Sequence, residues 1–196
     1  DPIRITSGTA ELKNLGSTGD IVVTEANSDI ANLEVNGLTQ SSDSGWSILT
    51  TETGGVNFTG AALLSGTGSF LVDSAELISN STAGIITLNG DGNITLKAVS
   101  SIDLFANVST AGGDIYMDSG DSINMDSLIT LSAAGGDAYI AATNDVGVAQ
   151  ILSTLASVRF SAVSGSILRS ASDGRRNIIA TNLQLSAGTQ IGRLGS

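Results

Sequence analysis

VSTAGGDIYM (Val108–Met117) and LSAAGGDAYI (Leu131–Ile140) are near copies that start 23 residues apart. Each runs from an apolar strand end through a small Gly-rich corner into a second apolar strand. The same form returns upstream as LNGDGNITL (Leu88–Leu96), LSGTGSFLV (Leu64–Val72), LTQSSDSGWSI (Leu38–Ile48) and LGSTGDIVV (Leu15–Val23). Downstream it returns as FSAVSGSIL (Phe160–Leu168) and LSAGTQIG (Leu185–Gly192). The first apolar residue after each corner is Ile21, Trp46, Phe70, Ile94, Ile115, Ala138, Ile167 and Ile191. A period kept along the whole chain is the signature of stacked repeats.

Each unit subdivides again. A second apolar pair follows the first strand, as in Ile102/Leu104, Ile123/Met125 and Val146/Val148. A third pair leads to the next corner: Ile86/Leu88, Ile129/Leu131, Val158/Phe160 and Leu183/Leu185. Within a pair the apolar residues are two apart with a polar one between, which is strand alternation with one face buried. The pattern predicts an all-β, single-stranded parallel β-helix over 1–196, with about eight coils of about 24 residues and three short strands per coil. Coils stacked about 4.8 Å apart would make a rod on the order of 40 Å long. Like positions should then stack: Ile94 on Ile115, Leu96 on Met117, Ile102 on Ile123. Trp46 reads as core. Two stretches break the period and read as insertions: AQILSTLAS (Ala149–Ser157), the one segment with helix-like spacing, and SASDGRRN (Ser170–Asn177). The second is either a tolerated loop or a basic partner surface.

Composition agrees with many short strands. Hydrophobic residues are 41%, but aromatics are 4% and charged residues 14%, and glycine contributes 24 residues. That balance is the reverse of a disordered chain. Cysteine and histidine are both absent, which removes disulfides, thiolate metal sites and the commonest general base. No apolar run reaches the roughly 18 residues of a membrane span, and DPIRITSGTA at the start has no signal-peptide core. It reads as a mature segment or as a piece of something larger. Net charge is −11, which argues against nucleic acid and against an anionic membrane surface as partners. The charge is uneven. Residues 1–150 hold 18 acids against three bases, whereas residues 151–196 hold one acid, Asp173, and five arginines: Arg159, Arg169, Arg175, Arg176 and Arg193.

With the coils aligned, GDIVVTEANSDIANLEVNGLTQ, STAGGDIYM and the closing TNLQLSAGTQIGRLG resemble the filamentous haemagglutinin type of large bacterial exoproteins. The likeness covers nearly the whole chain. It implies a right-handed β-helix shaft, secreted to the outside or to the bacterial cell surface. It further implies a structural role in an adhesin, with the secretion-recognition and other functional ends lying elsewhere.

The residues give little sign of chemistry. β-helices also carry polysaccharide lyases and hydrolases, whose sites need converging carboxylates. The densest acids here, Asp114, Asp118, Asp121 and Asp126, are spread along the chain and read as corner caps binding nearby backbone N–H groups. The chain is therefore expected not to be an enzyme and to need no cofactor. Calcium is the subtler alternative. Asn93, Asp114 and Asp137 occupy equivalent positions in successive coils, and such a column needs a cation, water or neutral Asn to relieve it. Tyr116 and Tyr139 are outward residues of equivalent strands, readable as a stabilising ladder or as a platform for host or matrix glycans. Arg169, Arg175, Arg176 and Arg193 make the C-terminal coils basic. They are candidates for an axial contact with an acidic surface, either a second copy or the adjoining segment of a longer chain.

Overall fold

The computed structural model describes residues 9–26, 32–170 and 176–192, with the backbone of Ile3–Ile5. The described residues form an all-β parallel β-solenoid of about seven coils of about 23 residues, with no helix. Three parallel faces make up each coil. The first face stacks Ile3–Ile5, Ile21–Glu25, Ser47–Thr51, Phe70–Ser74, Ile94–Ala98, Ile115–Ser119 and Ala138–Ala142. The second stacks Gly55–Phe58, Ile78–Asn80, Ile102–Leu104, Ile123–Met125, Val146–Val148 and Ile167–Arg169. The third stacks Ala62–Leu64, Ile86–Leu88, Val108–Thr110 and Thr130–Ala133. Four longer strands, Thr9–Asn14, Asn32–Gln40, Gln150–Ala162 and Ile178–Ala187, pass a corner without breaking and serve two faces each. Hydrogen bonds between coils therefore run along the rod axis, as between Ile94 N–H and the Asp114 carbonyl at 2.9 Å.

Alternation builds the core. Ile94 pairs with Ile115, Leu96 with Met117 and Ile102 with Ile123, as the repeat predicts, and all six are buried. Phe58 and Phe70 meet edge to face, with centroids 5.9 Å apart. Most buried polar residues sit at corners or strand ends and are hydrogen-bonded, Ser47 being an exception. Asn80 donates to the Gly84 and Ala106 carbonyls and accepts from the N–H groups of Phe105 and Ala106, which removes the cost of an unpaired buried amide. Corners run close. A Cβ on Gly68, Gly92, Gly113 or Gly136 would collide with a backbone carbonyl of the coil before it, so these positions admit only glycine at unchanged spacing.

Several details differ from the sequence reading. Ala149–Ser157 is not an insertion. From Gln150 on it is part of the Gln150–Ala162 strand, which crosses from the third face to the first with one register shift between Ser153 and Ser157. Because that corner has no glycine, the corner pattern skips it, and the phase is lost beyond Ala138. Val158/Phe160 and Leu183/Leu185 belong to the first face. Ile167 lies on the second face and bridges Ile191. The first-face strands after Ala138 begin at Val158 and Leu183 in place of Ile167 and Ile191. Of SASDGRRN, residues 171–175 lie outside the described residues, and the flanking strands end at Arg169 and resume at Ile178. Trp46 is 48% exposed, and Ser47 takes the core position between Ile21 and Phe70.

Candidate functional site

The residue just before each first-face strand closes a corner, and these residues form a column along the axis. Asn93 N–H donates to Ser69 Oγ at 3.0 Å, and Asp114 N–H to Asn93 Oδ1 at 2.8 Å. Asp137 N–H donates to Asp114 Oδ1 at 2.8 Å, and Ser157 N–H to Asp137 Oδ1 at 2.7 Å. The equivalence of Asn93, Asp114 and Asp137 was legible in the sequence. The serines at either end were not, because serine is everywhere in this chain. Each side chain caps the backbone of the following coil rather than its own corner. A carboxylate accepting such a bond makes it a stronger, charge-assisted one.

Two residues further on, the outward side chains make a second column: Val22, Ile48, Leu71, Thr95, Tyr116, Tyr139, Arg159 and Gln184. The rings of Tyr116 and Tyr139 lie parallel within 2°, with centroids 4.8 Å apart. Each phenol reaches back to the carboxylate of its own coil: Tyr116 Oη donates to Asp114 Oδ2 at 2.7 Å, and Tyr139 Oη to Asp137 Oδ2 at 2.6 Å. The Arg159 guanidinium carbon lies 5.4 Å from the Tyr139 centroid, within cation–π range. Arg159 is on the coil after Tyr139 and Tyr116 is on the coil before it. Both faces of the Tyr139 ring are therefore covered, and the pair stands edge-on to solvent.

The bonds set the titration of the group. The hydrogen bond to Asp114, reinforced by burial, pushes the Tyr116 phenol up to about 12. Tyr139 is raised by its bond to Asp137 and by burial, with Arg159 opposing. Asp137 is held below the ordinary carboxylate range by the Tyr139 phenol and by Ser157 N–H.

These engagements bear on the calcium candidates. Asp114 and Asp137 each commit one oxygen to a backbone N–H and the other to a phenol. Among the described residues, no three His, Cys, Asp or Glu side chains are grouped so as to hold a metal ion. The other acids disperse. Asp118 points out from the first face, Asp121 sits at the next corner and accepts Asn144 Nδ2 at 2.6 Å, and Asp126 lies one corner further, capping Leu128 N–H at 3.0 Å. Shallow concavities of about 300 and 190 Å³ flank Arg159, a residue that the lost phase placed on the wrong face.

Of the four arginines read as axial contacts, Arg175 and Arg193 lie outside the described residues. Arg169 and Arg176 are exposed. Arg169 rims an open concavity of about 130 Å³ at the C-terminal end, lined by Val148, Ile167, Ile178, Leu185 and Ile191. Compared with protein-family models, with curated proteins and with solved structures, the chain matches none.

Proposed function

We propose that this chain is a non-enzymatic structural segment: a length of shaft from a secreted or cell-surface bacterial adhesin of the filamentous haemagglutinin type. It stacks end to end, on a second copy or on the adjoining segment of a longer chain. The observation that carries the reading is the C-terminal end of the rod. Ile178–Ala187 pairs with Gln150–Ala162 alone, so its other edge holds no strand among the described residues. Leu183 is 50% exposed there, and Leu185 and Ile178 are only partly covered. At the opposite end, Thr9–Asn14 pairs with Asn32–Gln40 alone. Both open edges include the third face, so a second copy continues the ladder in the same direction. A heterologous contact of this kind propagates without closing.

Charge supports the same polarity in a general way, because the arginine-bearing C-terminal part would meet a chain whose residues 1–150 hold 18 acids against three bases. The family reading rests on the repeat motifs themselves. A glycan-binding reading has less support, since Tyr139 offers no uncovered ring face.

Negative-stain microscopy with light scattering, at low and high salt, tests the proposal. The expected result is rods several times the single length at low salt, shortening as the Debye length falls below about 10 Å, and single rods for Leu183→Lys. Single-length rods at every concentration and salt would overturn it.

A further inference from the structure

The corner Asn89–Gly90–Asp91–Gly92–Asn93 carries the chain from Ile86–Leu88 on the third face to Ile94–Ala98 on the first. Packing dictates its glycines. A Cβ on Gly90 would fall on the Gly66 carbonyl oxygen, and one on Gly92 would strike the Gly68 carbonyl. The stack thereby forces a glycine directly after Asn89. Asn89 is exposed, and its side chain makes no hydrogen bond among the described residues. Gly90 N–H donates to nothing among them either, while its carbonyl accepts Gly112 N–H at 3.2 Å.

We propose that Asn89 is a site of spontaneous self-modification. The Gly90 backbone nitrogen gives its proton to solvent and attacks Asn89 Cγ. The Cγ–Nδ2 bond breaks, ammonia leaves with a proton from water, and a succinimide ring remains. Water then adds at either ring carbonyl, opening the ring to aspartate or to isoaspartate. One water is consumed and one ammonia released, with no oxidant, reductant or metal. Glycine favours the step because no Cβ shields its nitrogen, and an N–H with no partner to give up loses nothing on deprotonation.

The chain carries its own comparison. Asn36–Gly37 is the other Asn-Gly step in the sequence. There Asn36 Oδ1 accepts the Thr59 hydroxyl at 2.5 Å, and Gly37 lies inside the Asn32–Gln40 strand opposite Glu11. Attack at Asn36 must first break that bond and bend a paired strand. The corners following Asn89 hold Ala111 and Ala134 at its position, so the chemistry is confined to one coil. Its product matters there. Aspartate sets a second carboxylate beside Asp91, and isoaspartate adds a carbon to the main chain at a corner fitted between Gly66 and Gly112.

The test is to age the intact protein in warm, mildly alkaline buffer. Peptide mapping by mass spectrometry and enzymatic isoaspartate labelling are followed with time. Asn89 is expected to convert at least about tenfold faster than Asn36, the factor that about 1.4 kcal/mol of protecting hydrogen bonding supplies. Asn89→Ser is expected to abolish the isoaspartate signal that peptide mapping assigns to position 89 and to retain its melting temperature on ageing, while the parent loses some. Equal rates at the two asparagines would overturn the proposal. So would conversion of Asn89 only after denaturation, or parallel loss of stability in Asn89→Ser.

Discussion

Asp114 Oδ1 accepts the backbone N–H of Asp137 across 2.8 Å, one coil further along the axis. The same carboxylate holds the Tyr116 phenol through its other oxygen. One side chain thus fixes both the spacing of two coils and the stance of an aromatic ring above them.

Asp114→Ala is expected to cost about 2 kcal/mol, because it leaves a part-buried N–H and a phenol without their charged acceptor. Asp114→Asn keeps an oxygen for the N–H and is expected to cost less than about half as much. Urea denaturation of both variants checks the ordering. Equal losses would mean that the bond to Asp137 contributes nothing.

Stability should respond to pH at both extremes. The Tyr116 and Tyr139 phenols titrate above their ordinary value in the folded chain. Their contribution is therefore complete below about pH 10 and is lost as pH rises through the raised values, which for Tyr116 is about 12. Asp137 titrates below its ordinary value, so its contribution is present above that range and lost as pH falls through its lowered value. Tyrosinate absorbance followed with pH should show both phenols ionising late, and Asp137→Asn should bring Tyr139 back towards about 10. An unchanged Tyr139 titration in that variant would contradict the account.

Glycine substitutions should divide by corner and strand. Gly92→Ala drives a Cβ into the Gly68 carbonyl and is expected to cost about 1–3 kcal/mol. Gly37→Ala meets nothing closer than Glu11 Cγ at 3.8 Å and is expected to be neutral or to stabilise by up to about 1 kcal/mol. Melting temperatures of the two variants decide the matter.

Ser47 is fully buried, and its hydroxyl has no hydrogen-bond partner. Ser47→Ala should stabilise the fold by about 1 kcal/mol, since it deletes an unsatisfied polar atom at almost no cost in volume. A lower melting temperature would show that the hydroxyl is satisfied in solution.

The architecture was legible because Gly-rich corners and two-residue alternation recur together, as in STAGGDIYM. Legibility failed where one of the two signals was missing. The corner at Thr154–Leu155 has no glycine, so the crossing strand Gln150–Ala162 looked like an insertion and Arg159 was lost from the tyrosine column. At Trp46–Ser47 two alternations compete, and side-chain size favours the wrong one. The register with Ile21 and Phe70 turns Ser47 inward, since a slip of one residue exchanges the two faces. The Asx column was visible only in its Asn and Asp members. The ring stacking and the bond from each phenol to its own carboxylate depend on side-chain direction, which spacing alone does not carry.

The ladder bonds lie parallel to the rod axis, and this fixes how the rod answers force. A pull along the axis loads each row of bonds in the direction in which it breaks, so coils detach singly instead of sliding as a block. Each detachment releases about 23 residues, roughly 78 Å of extended chain at about 3.4 Å per residue. The same stack under compression presses one packed core layer onto the next, so the rod is stiff when pushed and unwinds in equal steps when pulled.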